Sequence, residues 1–94
     1  MSSMKKPIRW NAEKAKLVSK DATRGNIGFH NCVIAIEEGR VLDDIPHPKK
    51  KNQRLLILDI ESYAYVVPYV LEEDGGVFFK TVFPSRKHTN LYLK

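Results

Sequence analysis

Apolar residues recur along the chain with two different spacings, which predicts helices in the first half and strands in the second. Residues 7–10 are a short strand candidate, because proline is tolerated at the first position of a strand, where no backbone donor is needed. A helix is expected from Asn11, whose side chain can cap it, to about Thr23. Its core-facing positions follow the spacing i, i+3 and i+7 and are Ala15, Val18 and Ala22.

A second helix is predicted over residues 29–38, after a break at Gly25 and Asn26. Its apolar set includes Cys32, which we interpret as a small core residue. Gly39 is well suited to end this helix, because glycine adopts the left-handed conformation that follows many helices. Residues 41–52 show neither a helical nor a strand period and contain several charges and prolines. They are predicted to form an exposed loop.

Three strands are expected next, over residues 54–60, 63–71 and 77–83, separated by a tight turn at 61–62 and a hairpin loop at 72–76. Pro68 removes a ladder donor from the middle strand, which predicts a bulge or an unpaired edge there. A short terminal helix could begin near Ser85. The predicted class is α+β, in the order β-α-α-β-β-β, with two helices packed on a small antiparallel sheet.

Length and cysteine content narrow the class of protein. The 94 residues are expected to form one domain over positions 1–94 with a loose polar start over 1–6, because separate cores need roughly 100–200 residues each. One cysteine excludes an internal disulfide and fits a reducing cytoplasm. No apolar run approaches the ~20 residues of a membrane span, and the first residues lack the apolar core of a signal peptide.

Charge alternates along the chain in blocks. The net charge is +5, with residues 1–20, 49–54 and 77–94 basic and the two intervening segments acidic. If the fold gathers the basic blocks onto one face, that face would bind a polyanion; otherwise the charges form an ordinary solvated surface. Three tyrosines share one face of the second long strand, where they would stack nucleobases if exposed and form core if buried: Tyr63, Tyr65 and Tyr69.

Candidate chemistry is concentrated after the last predicted strand. Arg86 is the first candidate for gripping a phosphate, because its planar guanidinium bonds two oxygens at once. Lys80 and Lys87 are predicted to assist it, and His88 to act as acid or base, since imidazole exchanges protons near neutral pH. Five further cations are predicted to hold an RNA backbone: Arg54, Arg9, Lys16, Lys20 and Arg24. The three scattered histidines show no metal-ligand spacing.

Three short segments between Ile8 and Tyr92 form a further pattern: IRWNAEK at 8–14, IGF at 27–29 and RKHT at 86–89. In order and spacing they resemble the BrnT-type toxins of bacterial type II toxin–antitoxin pairs. That family opens with a strand, a Trp and a charged helix, and closes with an Arg-Lys-Ala-Thr run. The chain departs from the family pattern by having Pro84 in place of Ser and His88 in place of Ala.

The resemblance implies a RelE-like ribonuclease fold and the cleavage of messenger RNA without a metal or other cofactor. It also implies a cytoplasmic protein whose partners are RNA and a small cognate antitoxin encoded beside it. The alternative is a non-catalytic module of the same fold that uses a basic face to hold RNA, DNA or an acidic protein. Cleavage would distinguish the two, because a binding module leaves bound RNA intact.

Overall fold

The computed structural model describes residues 7–20 and 27–94. The predictions for residues 1–6 and for Ala22, Thr23, Arg24, Gly25 and Asn26 lie outside these ranges. Within them the α+β class is confirmed, with three helices and six strands. In chain order these are β1 (Ile8–Trp10), α1 (Ala12–Lys20), α2 (Phe29–Glu37), β2 (Val41–Pro46), β3 (Gln53–Ile60), β4 (Tyr63–Leu71), β5 (Val77–Phe79), β6 (Phe83–Pro84) and α3 (Arg86–Tyr92).

The strands form one mixed sheet, in which the expectation of a purely antiparallel sheet was wrong. The order is β1-β5-β4-β3-β2, and β6 pairs with β4. The β1 strand runs parallel to β5, whereas the other pairs are antiparallel. A parallel partner requires a long crossover, and the whole chain from α1 to β4 separates β1 from β5. The first strand of the chain therefore lies at an edge of the sheet, next to the second strand of the β4–β5 hairpin.

The predicted loop over residues 41–52 was wrong in its first half, because Val41–Pro46 forms β2 and pairs with β3. This strand lies at the edge of the sheet, and its register shifts between Val41 and Asp43. Two consecutive carboxylates interrupt its apolar pattern, which hides it from a period-based prediction. Charged residues and bulges are common on edge strands because they discourage pairing with other chains.

The predicted strand over residues 77–83 is divided into β5 and β6. Tyr69 pairs with Phe79 and Val66 with Phe83. Two residues of β4, Val67 and Pro68, therefore lie opposite three residues of the neighbouring segment, 80–82. One of the two is Pro68, whose carbonyl accepts a hydrogen bond from the Lys80 N–H at 2.8 Å. The irregularity predicted at Pro68 is therefore present, and it falls where the proline has no N–H to donate.

Local capping signals explain where the helices begin and end. The Asn11 side chain accepts a hydrogen bond from the Lys14 N–H at 3.0 Å, as expected of the cap of α1. After α2, Gly39 has a φ of +75°. Its N–H donates to the Ile36 carbonyl at 3.0 Å, and the Arg40 N–H donates to the Ala35 carbonyl at 2.8 Å. These two bonds are the Schellman arrangement, which satisfies carbonyls that the helix end would otherwise leave without donors.

The core lies on both faces of β4. On the face covered by α1 and α2, the Trp10 ring stacks on Phe29 at 5.4 Å and on Phe79 at 6.1 Å between centroids. Cys32 is fully buried there, and burial raises the pKa of its thiol to about 12, so it is the core residue that was predicted. On the other face, the C-terminal residues Tyr92 and Leu93 pack against a second buried cluster of Ile57, Ala64 and Val66.

The tyrosines of β4 belong largely to this core. Tyr65 and Tyr69 are buried, and Tyr63 is half-buried with its ring 6.0 Å from that of Tyr65. Of the two interpretations left open by the sequence, core packing applies to Tyr65 and Tyr69. No helix in the described part of the chain is long and apolar enough to cross a membrane.

Two threonines, Thr81 before α3 and Thr89 within it, should respond oppositely to replacement by valine, which has nearly the same shape. The buried Thr81 Oγ1 has no hydrogen-bond partner among residues 7–20 and 27–94, whereas Thr89 Oγ1 donates to the Ser85 carbonyl at 2.7 Å and accepts from the Ala64 N–H at 2.8 Å. An unpaired buried polar group costs about 1–3 kcal/mol. Thr81→Val should therefore raise the free energy of unfolding by about 1 kcal/mol or more in urea denaturation, and Thr89→Val should lower it by about 1–3 kcal/mol. A loss of stability in both variants would contradict this account.

Candidate functional site

The candidate site is built around the start of α3, which Ser85 fixes to the first residues of β4. The Ser85 side chain accepts a hydrogen bond from the His88 N–H at 3.2 Å and so caps the helix. The Ser85 N–H donates to the Ala64 carbonyl at 2.9 Å. Thr89 adds its two side-chain bonds to Ser85 and Ala64. The position of the helix therefore follows from hydrogen bonds to a central strand.

Arg86 and Lys87 occupy the first turn of this helix with exposed side chains. Neither side chain forms an ion pair or hydrogen bond with any residue in ranges 7–20 and 27–94. An unpaired guanidinium on a fixed backbone is suited to bind two oxygens of one phosphate. The first requirement of the predicted chemistry, a cation not already neutralised by a neighbour, is thus present at Arg86.

His88 is held in place from two sides. Its Nδ1 lies 2.7 Å from the Ser85 Oγ, and its ring is nearly parallel to that of Tyr92, with centroids 6.4 Å apart. A hydroxyl can either donate to Nδ1 or accept from it. Ser85 can therefore keep the ring orientation constant while the other nitrogen, Nε2, gains or loses a proton. Among the described residues no hydrogen-bond partner occupies Nε2.

A carboxylate from the edge strand reaches the same region. The Tyr92 hydroxyl donates a hydrogen bond to Asp43. This bond lowers the pKa of the Asp43 carboxyl, with smaller contributions from the Asp44 N–H and from the charge of His88. The same bond raises the pKa of Tyr92. A negative charge thus lies near the imidazole across the physiological pH range.

Sequence reasoning did not assign a role to Asp43 or Tyr92. Their partnership spans 49 residues, and no local pattern connects a predicted loop with the end of the chain. The capping role of Ser85 could be predicted from the sequence, because Ser85 and His88 have the spacing of a helix N-cap and the third residue of its helix. The pair of Ser85 and His88 follows from that local signal.

Lys80 is attached to the sheet apart from the α3 cluster, by which we mean Ser85, Arg86, Lys87 and His88 at the start of α3. Its N–H is bonded to Pro68 and the Ser85 N–H to Ala64, and these two acceptors lie four residues apart on β4. At about 3.3 Å per residue, the attachment points of Lys80 and α3 are about 13 Å apart. The Lys80 ammonium instead lies over the Phe78 ring, 5.6 Å from its centroid. The assistance of Lys80 to Arg86 therefore stays a prediction.

Arg9 and Arg54, predicted to hold RNA, are both engaged by carboxylates. Arg9 pairs with Glu72 and, at 2.9 Å, with Asp74, and so connects β1 to the β4–β5 loop. Hydrogen bonding to Arg9 is the largest cause of the lowered pKa of Asp74. Arg54 pairs with Asp44 at 2.9 Å and connects β3 to β2. These guanidinium groups connect neighbouring segments of the sheet, and their positive charges are offset by carboxylates.

The remaining predicted RNA contacts are on α1. Lys16 and Lys20 are exposed on this helix, and Arg24 lies outside the described residues. No group of three or more histidine, cysteine or acidic side chains suitable for a metal ion occurs in the described part of the chain. Comparison with protein-family models, with curated proteins and with solved structures finds no match to this chain.

The bond between Tyr92 and Asp43 should make stability depend on pH in acid. A carboxyl whose folded-state pKa is lowered contributes stability above its unfolded pKa, about 3.9, and loses it as the pH falls through the folded pKa. Tyr92→Phe should therefore be less stable than the native protein at pH 7, with a difference that shrinks below about pH 4. Urea denaturation from pH 7 to pH 2 measures this. Tyr63→Phe removes a hydroxyl from a half-buried ring and is the control; a Tyr92→Phe difference independent of pH would refute the assignment.

Proposed function

We propose that the protein is a metal-independent endoribonuclease, with its reacting centre at the first turn of α3. The observation that carries the proposal is the arrangement of Arg86, Lys87 and His88 around the Ser85 cap. Two exposed cations without partners in the described chain adjoin an imidazole held by Ser85 Oγ at 2.7 Å from Nδ1. These are the groups needed to bind a phosphodiester and to move a proton beside it.

In the proposed reaction the ribose 2′-oxygen attacks the adjacent phosphorus while the bond from phosphorus to the 5′-oxygen breaks. Nε2 of His88 takes the 2′-hydroxyl proton, and the departing 5′-oxygen receives a proton from water. Arg86 binds the non-bridging oxygens, where negative charge increases in the transition state. Lys87 adds a second positive charge. Asp43 would attract the imidazolium that forms, and Ser85 Oγ would accept from its protonated Nδ1.

We further propose that this nuclease is a cytoplasmic toxin acting on messenger RNA and neutralised by a cognate antitoxin. The resemblance of segments 8–14, 27–29 and 86–89 to BrnT-type toxins supports this assignment. Two of these segments meet in the core, where Trp10 of the first stacks on Phe29 of the second. Packing between them explains why the two segments would be retained together in one fold. A RelE-like arrangement of the sheet is part of the same proposal.

Arg86→Ala tests the role of the guanidinium. Loss of one preorganised group at the developing charge typically lowers the rate by about 10²–10³-fold, and Arg86→Lys should restore only part of it. The measurement is cleavage of labelled single-stranded RNA in excess chelator, together with growth arrest on induction in a bacterial host. Lys50→Ala is the matched control, because it removes one positive charge from the β2–β3 loop at the opposite end of β4. RNA that stays intact with the native protein, with and without ribosomes, would refute the nuclease.

His88→Gln tests proton transfer separately. Glutamine retains a polar group beside Ser85 but does not exchange protons near neutral pH, so the cleavage rate should fall by about 10²–10⁴-fold. RNA affinity should change little, because the cations remain. The pH–rate profile is the decisive measurement: the native protein should show a limb near neutrality that the variant lacks. An unchanged profile would remove His88 from the mechanism and leave Arg86 in place.

The second candidate is the non-catalytic binding module. It is favoured because Lys80 and α3 are attached to β4 at points about 13 Å apart. Cations on attachments spaced in this way suit several phosphates better than one. Such a module would bind RNA with an affinity that falls steeply with salt, about 0.7 in logarithmic slope for each phosphate contacted. It would leave that RNA whole.

A further inference from the structure

A groove between α1 and β5 lies outside the α3 cluster and has a distinct composition. Its volume is about 430 Å³, and it is lined by Asn11, Glu13, Lys14, Leu17, Phe78 and Lys80. Phe78 alternates with the buried Phe79 along β5, so its ring is directed away from the aromatic core. The surface therefore presents an aromatic ring that the main core does not use.

The walls of the groove combine apolar groups, two positive groups and the carboxylate of Glu13. Leu17 is 66% exposed on a helix that buries Val18 in the core. Lys14 and Lys80 contribute two ammonium groups, and the Lys80 nitrogen lies 5.6 Å from the Phe78 centroid. An aromatic face flanked by lysines is the pattern by which proteins bind single-stranded nucleic acid: the ring stacks a base, and the cations hold the phosphates on either side.

We infer that this groove binds one unpaired nucleobase of a single-stranded RNA, with Phe78 as the stacking platform and Lys14 and Lys80 as phosphate contacts. The inference rests on the proposed function and extends it by adding a second contact to the substrate. Lys80 now covers the Phe78 ring and would move to a phosphate when a base takes its place. This gives Lys80 a role in holding the strand, in keeping with its separation from Arg86.

The distance between the two sites fits one strand. Lys80 is attached to β4 at Pro68 and Phe78 pairs with Val70, whereas α3 is attached at Ala64. At about 3.3 Å per residue, Lys80 and Phe78 lie about 13 and 20 Å along β4 from the attachment of α3, which stacked nucleotides at about 3.4 Å each span in about four to six steps. A short oligonucleotide can therefore contact both sites, whereas a dinucleotide at Arg86 cannot reach Phe78. Substrate length thus separates the effect of this groove from the chemistry at α3.

The test uses the full chain and a fluorescent single-stranded 12-mer with 2′-O-methyl groups, which cannot be cleaved through the 2′-oxygen. Phe78→Leu keeps an apolar side chain but removes the aromatic face. Since stacking of one base corresponds to about a 5- to 150-fold change in affinity, the dissociation constant of this variant should rise by that factor. Phe83→Leu makes the same change at a phenylalanine of β6 that is 39% exposed and should leave the dissociation constant unchanged. Binding of an abasic strand of equal charge should be the same in the native and Phe78→Leu proteins.

The outcomes keep this inference separate from the nuclease proposal. Weaker 12-mer binding in Phe78→Leu supports the groove even if the native protein cleaves nothing. Cleavage of a dinucleotide should be unaffected by Phe78→Leu and slowed about 10²–10³-fold by Arg86→Ala. Equal affinity of native and Phe78→Leu proteins, equal losses in the two leucine variants, or an equal loss for the abasic strand would overturn the inference. The last result would show that the groove contacts phosphates without stacking a base.

Phe78→Trp provides a second route if Phe78→Leu does not fold. It retains an aromatic platform and should bind the 12-mer at least as tightly as the native protein. Its tryptophan fluorescence should be quenched by RNA well beyond any change in the native protein, which contains Trp10 alone. Quenching no larger than that of the native protein would also overturn the inference.

Discussion

The missing N–H of Pro68 is the constraint on which the arrangement of the second half of the chain depends. β4 is the central strand, paired with β3 on one side and with β5 and β6 on the other. Pro68 has no N–H to donate towards β5 and β6. Regular strand pairing with β4 is therefore interrupted over residues 80–82. After this interruption the chain pairs with β4 again as the short strand β6, and Lys80 lines the groove beside α1. That strand delivers Ser85 to Ala64, so the position of α3 follows from the break.

The edge strand β2 is held from both faces of the sheet by two consecutive carboxylates. Asp43 accepts from Tyr92 on the α3 side, and Asp44 accepts from the Tyr69 hydroxyl at 2.7 Å on the side of the first two helices. Burial, reinforced by Asp44, raises the pKa of Tyr69 to about 12. Successive residues of a strand face opposite sides, so one Asp-Asp pair can connect the edge of the sheet to both layers. Asp43 and Asp44 resemble ordinary solubilising charges in the sequence, but in the structure they attach β2 to the layers on both faces of the sheet.

The features that could be predicted from the sequence are those whose cause lies within a few residues. The Asn11 cap, the Gly39 helix end and the turn at Glu61 and Ser62 each depend on neighbouring positions. Both turn residues have positive φ, 56° and 66°, as a two-residue hairpin turn requires. By contrast, β2 depends on tyrosines 25 and 49 residues away. The pairing of Arg9 likewise depends on carboxylates 63 and 65 residues away. Periodicity carries no information about such partners.

The same distinction applies to the candidate site. The helix beginning at Arg86 and the concentration of cations there follow from a contiguous run of sequence, whereas the division of the basic residues into paired and unpaired groups does not. Arg9 and Arg54 neutralise carboxylates and stabilise strand pairs, which removes them from the charge available to a ligand. The basic block around Lys50 lies at the far end of β4 from Ser85. Among the described residues, Lys80 and the cations of α3 are instead attached along one strand, at Pro68 and at Ala64 of β4. Phe78 pairs with Val70 beyond Pro68, so a polyanion that followed β4 would pass from an aromatic ring to an imidazole.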